Sequence, residues 1–210
     1  MELLEAIESR RSVRRFSDAP VPQEDVEEII RAAALAPSAS NQQMWHFLVV
    51  RNRQLLERMR QAVVDKIREM ESWPEVEGFE ERLKGVARSG TFFVEAPVTL
   101  AVLTKPYESP WDVVVLPRRG FSFAEIHRLR GDPGRQSVGA AVQNLLLRAH
   151  DLGYGTCWMT GPLIAGFELA ALLEVKAPWQ LAALIPLGRP AATPRPTPRR
   201  PVSEIMTVIE

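Results

Sequence analysis

Four guanidinium groups and one hydroxyl fall within six consecutive positions, Arg10-Arg11-Ser12-Val13-Arg14-Arg15. A guanidinium pairs with two phosphate oxygens at once, and a serine hydroxyl adds a further donor, so the run has the chemistry of an anion clamp. Its plainer reading is a solvated basic turn. A second run, Pro37-Ser38-Ala39-Ser40-Asn41-Gln42-Gln43-Met44-Trp45, sets small residues, hydroxyls and amides beside an aromatic ring. That mixture suits the edge of a planar polar heterocycle, although Pro37 and Ser38 would also serve simply to end a helix. A phosphate holder and a heterocycle holder together imply a bound mononucleotide. A third stretch, Trp158-Met159-Thr160-Gly161-Pro162, reads on its own as a strand-to-turn junction in which Gly161 permits close approach to a ligand.

The elements that must position these runs follow from periodicity. Leu3, Leu4 and Ile7 lie at helical spacing and put a short helix before the arginines. Pro20 and Pro22 make a rigid lead-in to a helix over Gln23–Leu35, with Val26, Ile29, Ile30 and Ala33 inward, and Pro37 ends it. Trp45–Val50 reads as a buried strand, with Trp45 a core residue, and Asn52 caps a helix over Arg53–Met70. A further helical stretch is expected over Glu75–Phe92, a buried strand over Pro97–Thr104 and an irregular segment over Pro106–Pro133. Gln136–Asp151 is a strong helix, nearly apolar all round from Val138 to Leu147, as a buried or interface helix would be. Gly155–Met159 is a short strand, Phe167–Glu174 a helix and Trp179–Leu187 a strand. Pro190, Pro194, Pro196, Pro198 and Pro201 keep the following segment out of any helix and favour an extended course. Helices and strands alternate with helices dominant, so the class is α/β or α+β.

At 210 residues, 46% hydrophobic and 25% charged, the chain has the composition of one ordinary globular domain. A formal net charge of zero gives no global attraction for nucleic acid or an anionic membrane. No apolar run reaches membrane-spanning length, and Glu2, Glu5 and Glu8 interrupt any secretory pattern, so a cytoplasmic location is expected. Cys157 is the one cysteine; with no histidine near it in sequence it reads as buried packing. His46, His127 and His150 form no metal-binding spacing, and no metal is expected. No Gly-x-Gly-x-x-Gly or Walker motif marks a dedicated dinucleotide site.

In their order and separation, the first two runs resemble the N-terminal signature of the nitroreductase-like family of FMN-dependent oxidoreductases. The resemblance continues in Gly139-Ala140-Ala141-Val142-Gln143-Asn144-Leu145-Leu146-Leu147, in Leu152-Gly153-Tyr154-Gly155-Thr156-Cys157-Trp158, and in Leu187-Gly188-Arg189-Pro190 with Pro198-Arg199-Arg200-Pro201. It is weak between about Lys66 and Pro133. The resemblance implies an α+β nitroreductase-like fold over 1–210, with a central, mainly antiparallel sheet flanked by helices. It also implies an intertwined homodimer whose extended C-terminal arm, 190–210, crosses to the partner. An extended stretch of about a dozen residues can reach roughly 35 Å. Segment 104–134 then becomes a lid or substrate-covering insertion. Within it Tyr107, Trp111, Phe121 and Phe123 could stack on a planar substrate, and Arg118, Arg119, Arg128 and Arg130 could favour an anionic one; ordinary packing of an extra helical hairpin would explain them as well.

By the same resemblance, Arg10, Arg11 and Ser12 hold the FMN phosphate and ribityl hydroxyls, and Arg14 approaches the pyrimidine edge of the flavin. Pro37, Ser38, Ala39 and Asn41, with Gln43 as a weaker candidate, contact the flavin from the neighbouring subunit. Met44 stands where family members often carry proline. Met159, Thr160 and Gly161 are further cofactor contacts, with main-chain groups of Thr160 and Gly161 near flavin N5, and Thr160 replaces an acidic residue found in some members. Either Arg199 or Arg200 supplies a C-terminal phosphate contact. The implied reaction is ping-pong: NADH or NADPH, bound transiently, gives hydride to flavin N5, which passes it to an electrophilic acceptor such as a nitroaromatic or quinone. No side chain need act as acid or base. Relatives on this scaffold instead fragment reduced flavin with oxygen or dehalogenate iodotyrosine reductively, and a non-catalytic flavin-binding module would keep the same cofactor residues.

Overall fold

The structure is a computed structural model that describes every residue except Lys84. Its centre is a four-stranded antiparallel sheet in the order β1-β2-β4-β3, built from β1 (Trp45–Val50), β2 (Val98–Thr104), β3 (Gly155–Thr156) and β4 (Gln180–Gly188). Trp45 pairs with Thr104 and Val50 with Thr99, and a bulge falls between Val102 and Leu103 where β2 meets β4.

Helices cover both faces, which is why all seven residues of β2 are buried and its sequence is one apolar run. One layer is formed by α2 (Gln23–Ala34) and α8 (Pro133–Asp151), reached through α1 (Leu3–Ser9). Val26, Ile29 and Ala33 of α2 and Val138, Val142 and Leu145 of α8 pack with Leu100, Val102 and Ile185. The other layer is α3 (Arg53–Glu71) with α9 (Gly166–Leu172): Leu56, Met59 and Val63 meet Ala101, Leu184 and Leu169. Alternate residues of one strand thus enter different cores, as the two-residue period of a strand requires. Asn144 of α8 donates to Ala32 O at 3.2 Å and ties the first layer together. The Asn52 side chain accepts from Leu55 N at 3.1 Å, the helix cap read from the sequence.

Four boundaries depart from expectation. The helix expected over Glu75–Phe92 is broken into a 3-10 turn at Pro74–Val76, α4 (Glu80–Leu83), α5 (Val86–Thr91) and a second 3-10 turn at Phe92–Glu95. Gly78 and Gly85 interrupt it with φ of +83° and +86°, a backbone state that glycine adopts without a Cβ penalty; Lys84, within the expected helix, lies outside the described residues. The segment expected to be irregular over Pro106–Pro133 contains a π-helical turn at Trp111–Val115 running into α6 (Leu116–Arg118), and then α7 (Phe123–Arg130). A reciprocal cap starts α7: Glu125 N donates to Ser122 Oγ at 3.3 Å and Ser122 N donates to Glu125 Oε2 at 2.8 Å. α8 begins at Pro133 rather than Gln136, because the Asp132 side chain accepts from Arg135 N and proline suits a first helical position. The strand expected over Gly155–Met159 stops at Thr156; Met159 makes only an isolated bridge to Leu184.

Leu100 is fully buried at the centre of the sheet. Leu100→Ala should therefore cost about 2–5 kcal/mol in urea unfolding, against about 1 kcal/mol for Asn52→Ala at its exposed cap. Equal, small losses at both positions would contradict this account of the core.

Candidate functional site

The arginine run lies along the sheet edge at β3. Ser12 bridges Thr156 in parallel and Val13 N donates to Thr156 O at 2.9 Å. The buried Val13 side chain sits where a side chain on Gly155 would otherwise project: a Cβ there would fall 2.5 to 2.8 Å from three Val13 atoms. A glycine is thus required at this edge for the run to lie against it. The returning chain after β4 holds the other side, with Ser17 N donating to Arg189 O and Ala191 N to Arg15 O. Arg189 is fixed in turn, its guanidinium 4.1 Å from the Tyr154 ring centroid and donating to Leu152 O at 2.9 Å.

Between the run and the Pro-rich arm is a cavity of about 590 Å³, lined by Arg10, Arg11, Arg14, Arg15, Arg195 and Arg199 with Ser12 and no acidic residue. Arg10 Nε is buried there without a hydrogen-bond partner among the described residues. Burial, then the neighbouring Arg199 and Arg11, push the Arg10 guanidinium below its ordinary value. A buried donor left unmatched among like charges is costly unless an anion meets it, and a phosphate has the charge and the acceptors to do so. The residues present therefore fit the phosphate end of FMN. Arg199 lines the cavity and Arg200 does not. Arg195, also on the wall, was not singled out in the sequence; its place in the same Pro-rich run as Arg199 was the available signal.

Loop 37–43 does not line this cavity. It packs at the start of α8 and against the chain leaving β2. Ala39 N donates to Ser137 Oγ at 3.2 Å, and Ser40 Oγ lies 2.9 Å from Tyr107 Oη. Ser38 Oγ accepts from Gln43 N at 3.0 Å and closes the loop on itself. Ser40, Asn41 and Gln43 have φ of +50°, +52° and +50°. Each non-glycine residue held in that region costs on the order of 1–3 kcal/mol, and such conformations concentrate at ligand clamps. Asn41 and Gln43 stay exposed, as does Pro37, while Trp45 is buried in the core.

The third expected contact lies at the end of the sheet. Met159 is buried and exchanges two 3.0 Å main-chain bonds with Leu184. That bridge fixes the exposed Thr160 and Gly161 just beyond it, at the start of a 3-10 turn. Among the described residues neither main-chain N–H of that pair finds an acceptor. Cys157 is buried, and burial pushes its thiol up despite nearby Arg14, a Ser12 hydrogen bond and Arg10. No group of His, Cys, Asp or Glu among the described residues could hold a metal ion. His150 is tied to Ser9, its Nε2 2.7 Å from Ser9 Oγ. No helix among the described residues is long and apolar enough to cross a membrane.

The family model for the Nitroreductase family matches residues 7–189, and the chain belongs to that family. A Methanothermobacter thermautotrophicus protein named provisionally as an NADH dehydrogenase/NAD(P)H nitroreductase is 34% identical over 202 residues, 92% of this chain and 80% of that protein. Among solved structures, a BluB-like flavoprotein from Clostridium difficile 630 is 35% identical, with a TM-score of 0.87 and complete coverage of both chains. Oxidized iodotyrosine deiodinase, solved with FMN and 3-iodo-L-tyrosine, shares the fold at 24% identity and a TM-score of 0.69, over 100% of this chain and 98% of that one.

Two outcomes follow from this geometry. Gly155→Ala should drive Val13 off the sheet edge and weaken FMN binding about tenfold or more, whereas Gly166→Ala, with open space around its Cβ position, should leave binding unchanged; fluorescence titration with FMN compares them. Burial, Arg10 and Arg11 push the His150 imidazole below 6.5. Its folded pKa is depressed, so its contribution to stability is present above the unfolded value and is lost as pH falls through the folded one. Urea unfolding between about pH 7 and pH 5 should therefore show an acid loss that His150→Gln reduces.

Proposed function

We propose that the chain is an FMN-dependent oxidoreductase that transfers hydride from NADH or NADPH to an electrophilic acceptor such as a nitroaromatic or a quinone. The observation that carries this reading is the all-arginine cavity with the unmatched, buried Arg10 Nε. Membership of the family supports it. When bound, FMN supplies the two-electron carrier that takes hydride from nicotinamide and gives it up to the acceptor.

The chain's own residues bind and orient. Arg10, Arg11, Ser12 and Arg199 hold the phosphate and ribityl end, with Arg199 rather than Arg200 as the arm's contact. Arg14 offers positive charge to the pyrimidine edge of the ring system. The free N–H groups of Thr160 and Gly161 are the main-chain donors for the reacting edge, braced by the Met159 bridge. Pro37, Ser38, Ala39, Asn41 and Gln43 act in the site of the other subunit of a homodimer. Their absence from the cavity wall within one protomer supports that assignment. So do the exposed Leu3, Leu4, Ile7 and Leu35, and a tail whose Val202, Ile205, Met206, Val208 and Ile209 are all exposed. In this reading 1–210 is one domain, 104–134 covers the substrate, the 190–210 arm closes its own chain's cavity through 192–199 and reaches across to the partner beyond it, and the protein works in the cytoplasm.

The purified protein should show flavin absorbance near about 450 nm that bleaches on anaerobic addition of NADH or NADPH. A protein that is colourless and does not take up added FMN would refute the proposal. A second reading, a specialised reductive dehalogenase, is favoured by likeness to an iodotyrosine deiodinase from Nematostella vectensis at 27% identity over 99% of this chain and 75% of that protein. Iodide release from 3-iodotyrosine with the reduced protein, in the absence of nitroreductase turnover, would select it.

A further inference from the structure

The main-chain bonding of the β1–β2 ladder continues past Trp45 and Thr104 through Lys105 N, which donates to Met44 O at 3.4 Å. Beyond that point the strained turn carries the 37–43 loop away, and a side chain replaces the ladder. The Gln42 carboxamide donates through Nε2 to Glu108 O and accepts through Oε1 from Glu108 N at 3.0 Å. One amide side chain thus satisfies both main-chain groups of Glu108, as a paired strand residue would. Tyr107 Oη adds the bond to Ser40 Oγ. Gln42 has φ of −77° between Asn41 at +52° and Gln43 at +50°. That alternation accompanies a half-buried Gln42 turned to Glu108 and leaves Asn41 and Gln43 exposed. The same few residues therefore hold the loop's exposed Asn41 and Gln43 amides and the root of the segment that runs through the Trp111–Val115 turn and α7.

We propose that Gln42, assisted by Tyr107, is a positioning residue that couples cofactor occupancy to the order of segment 106–131. FMN at the loop favours the conformation in which Gln42 meets Glu108, and an ordered segment in turn favours FMN. Linkage makes the two effects equal. The cofactor half of this statement rests on the proposed function; the bond between loop and segment does not.

Trypsin tests the two halves separately, because Arg118 and Arg119 are exposed within the segment. Cleavage of the FMN-free proteins reads the latch alone. Gln42→Ala should be cut there several-fold faster than wild type, and equal rates would overturn the proposal. Tyr107→Phe, which removes one hydroxyl, and Gln42→Glu, which keeps only the acceptor toward Glu108 N, should fall between; they serve if Gln42→Ala unfolds. Cleavage of the FMN-loaded proteins reads the coupling. FMN should protect wild type about tenfold and Gln42→Ala hardly at all, and Gln42→Ala should bind FMN more weakly by a similar factor, near 1.4 kcal/mol. Equal FMN protection of wild type and Gln42→Ala would overturn the coupling while leaving an FMN enzyme intact. Failure of wild type to bind FMN would sink the proposed function, leaving the FMN-free comparison to judge the latch.

Discussion

Like charge gathered at one place is the constraint on which the site depends. Arg10, Arg11, Arg14, Arg15, Arg195 and Arg199 face a single cavity with no carboxylate among them. The fold holds them there by main-chain bonds, chiefly Val13 N to Thr156 O and Ala191 N to Arg15 O, which are indifferent to charge. The lining gives these side chains no carboxylate partner: Arg11 donates to the main-chain oxygens of Glu8 and Arg10, and Arg199 to Thr197 and Pro198, so their charge is not neutralised within the cavity. A scaffold that neutralised these arginines with its own acids would be more stable and would bind less.

The contrast with the rest of the surface is instructive. Several arginines elsewhere are paired with acids: Arg148 with Glu28 and Asp151, Arg60 with Glu57, Arg130 with Asp112. The net charge of zero conceals this local excess of positive charge at the cavity.

Sequence patterns revealed the parts whose cause is local. The period of Val26, Ile29 and Ala33 marks α2, the apolar run of β2 follows from burial on both faces, and the spacing of the arginines marks one wall of the cavity. Segment 106–133 was less legible because its helices are short and most of their apolar residues exposed, Trp111 and Phe123 among them; the Ser122–Glu125 cap that starts α7 was a local signal left unread. Strand order depends on contacts distant in sequence and carried no local signal. The same holds for the Val13–Gly155 contact and for Arg195, whose place on the cavity wall is set by how the arm folds back. The positive φ of Ser40, Asn41 and Gln43 was hidden because none of them is glycine.

The cavity joins residues 10–15 to residues 192–199, so its two walls come from opposite ends of the fold. During synthesis the first wall is made before any strand of the sheet, and the second only after the last strand. A chain released between β4 and Arg199 has every strand and helix of the core and lacks the arm that closes the site. A closed cavity thus needs the arm as well as the folded core. Until then one wall of the cavity stands alone, and the arm is what encloses the arginine run.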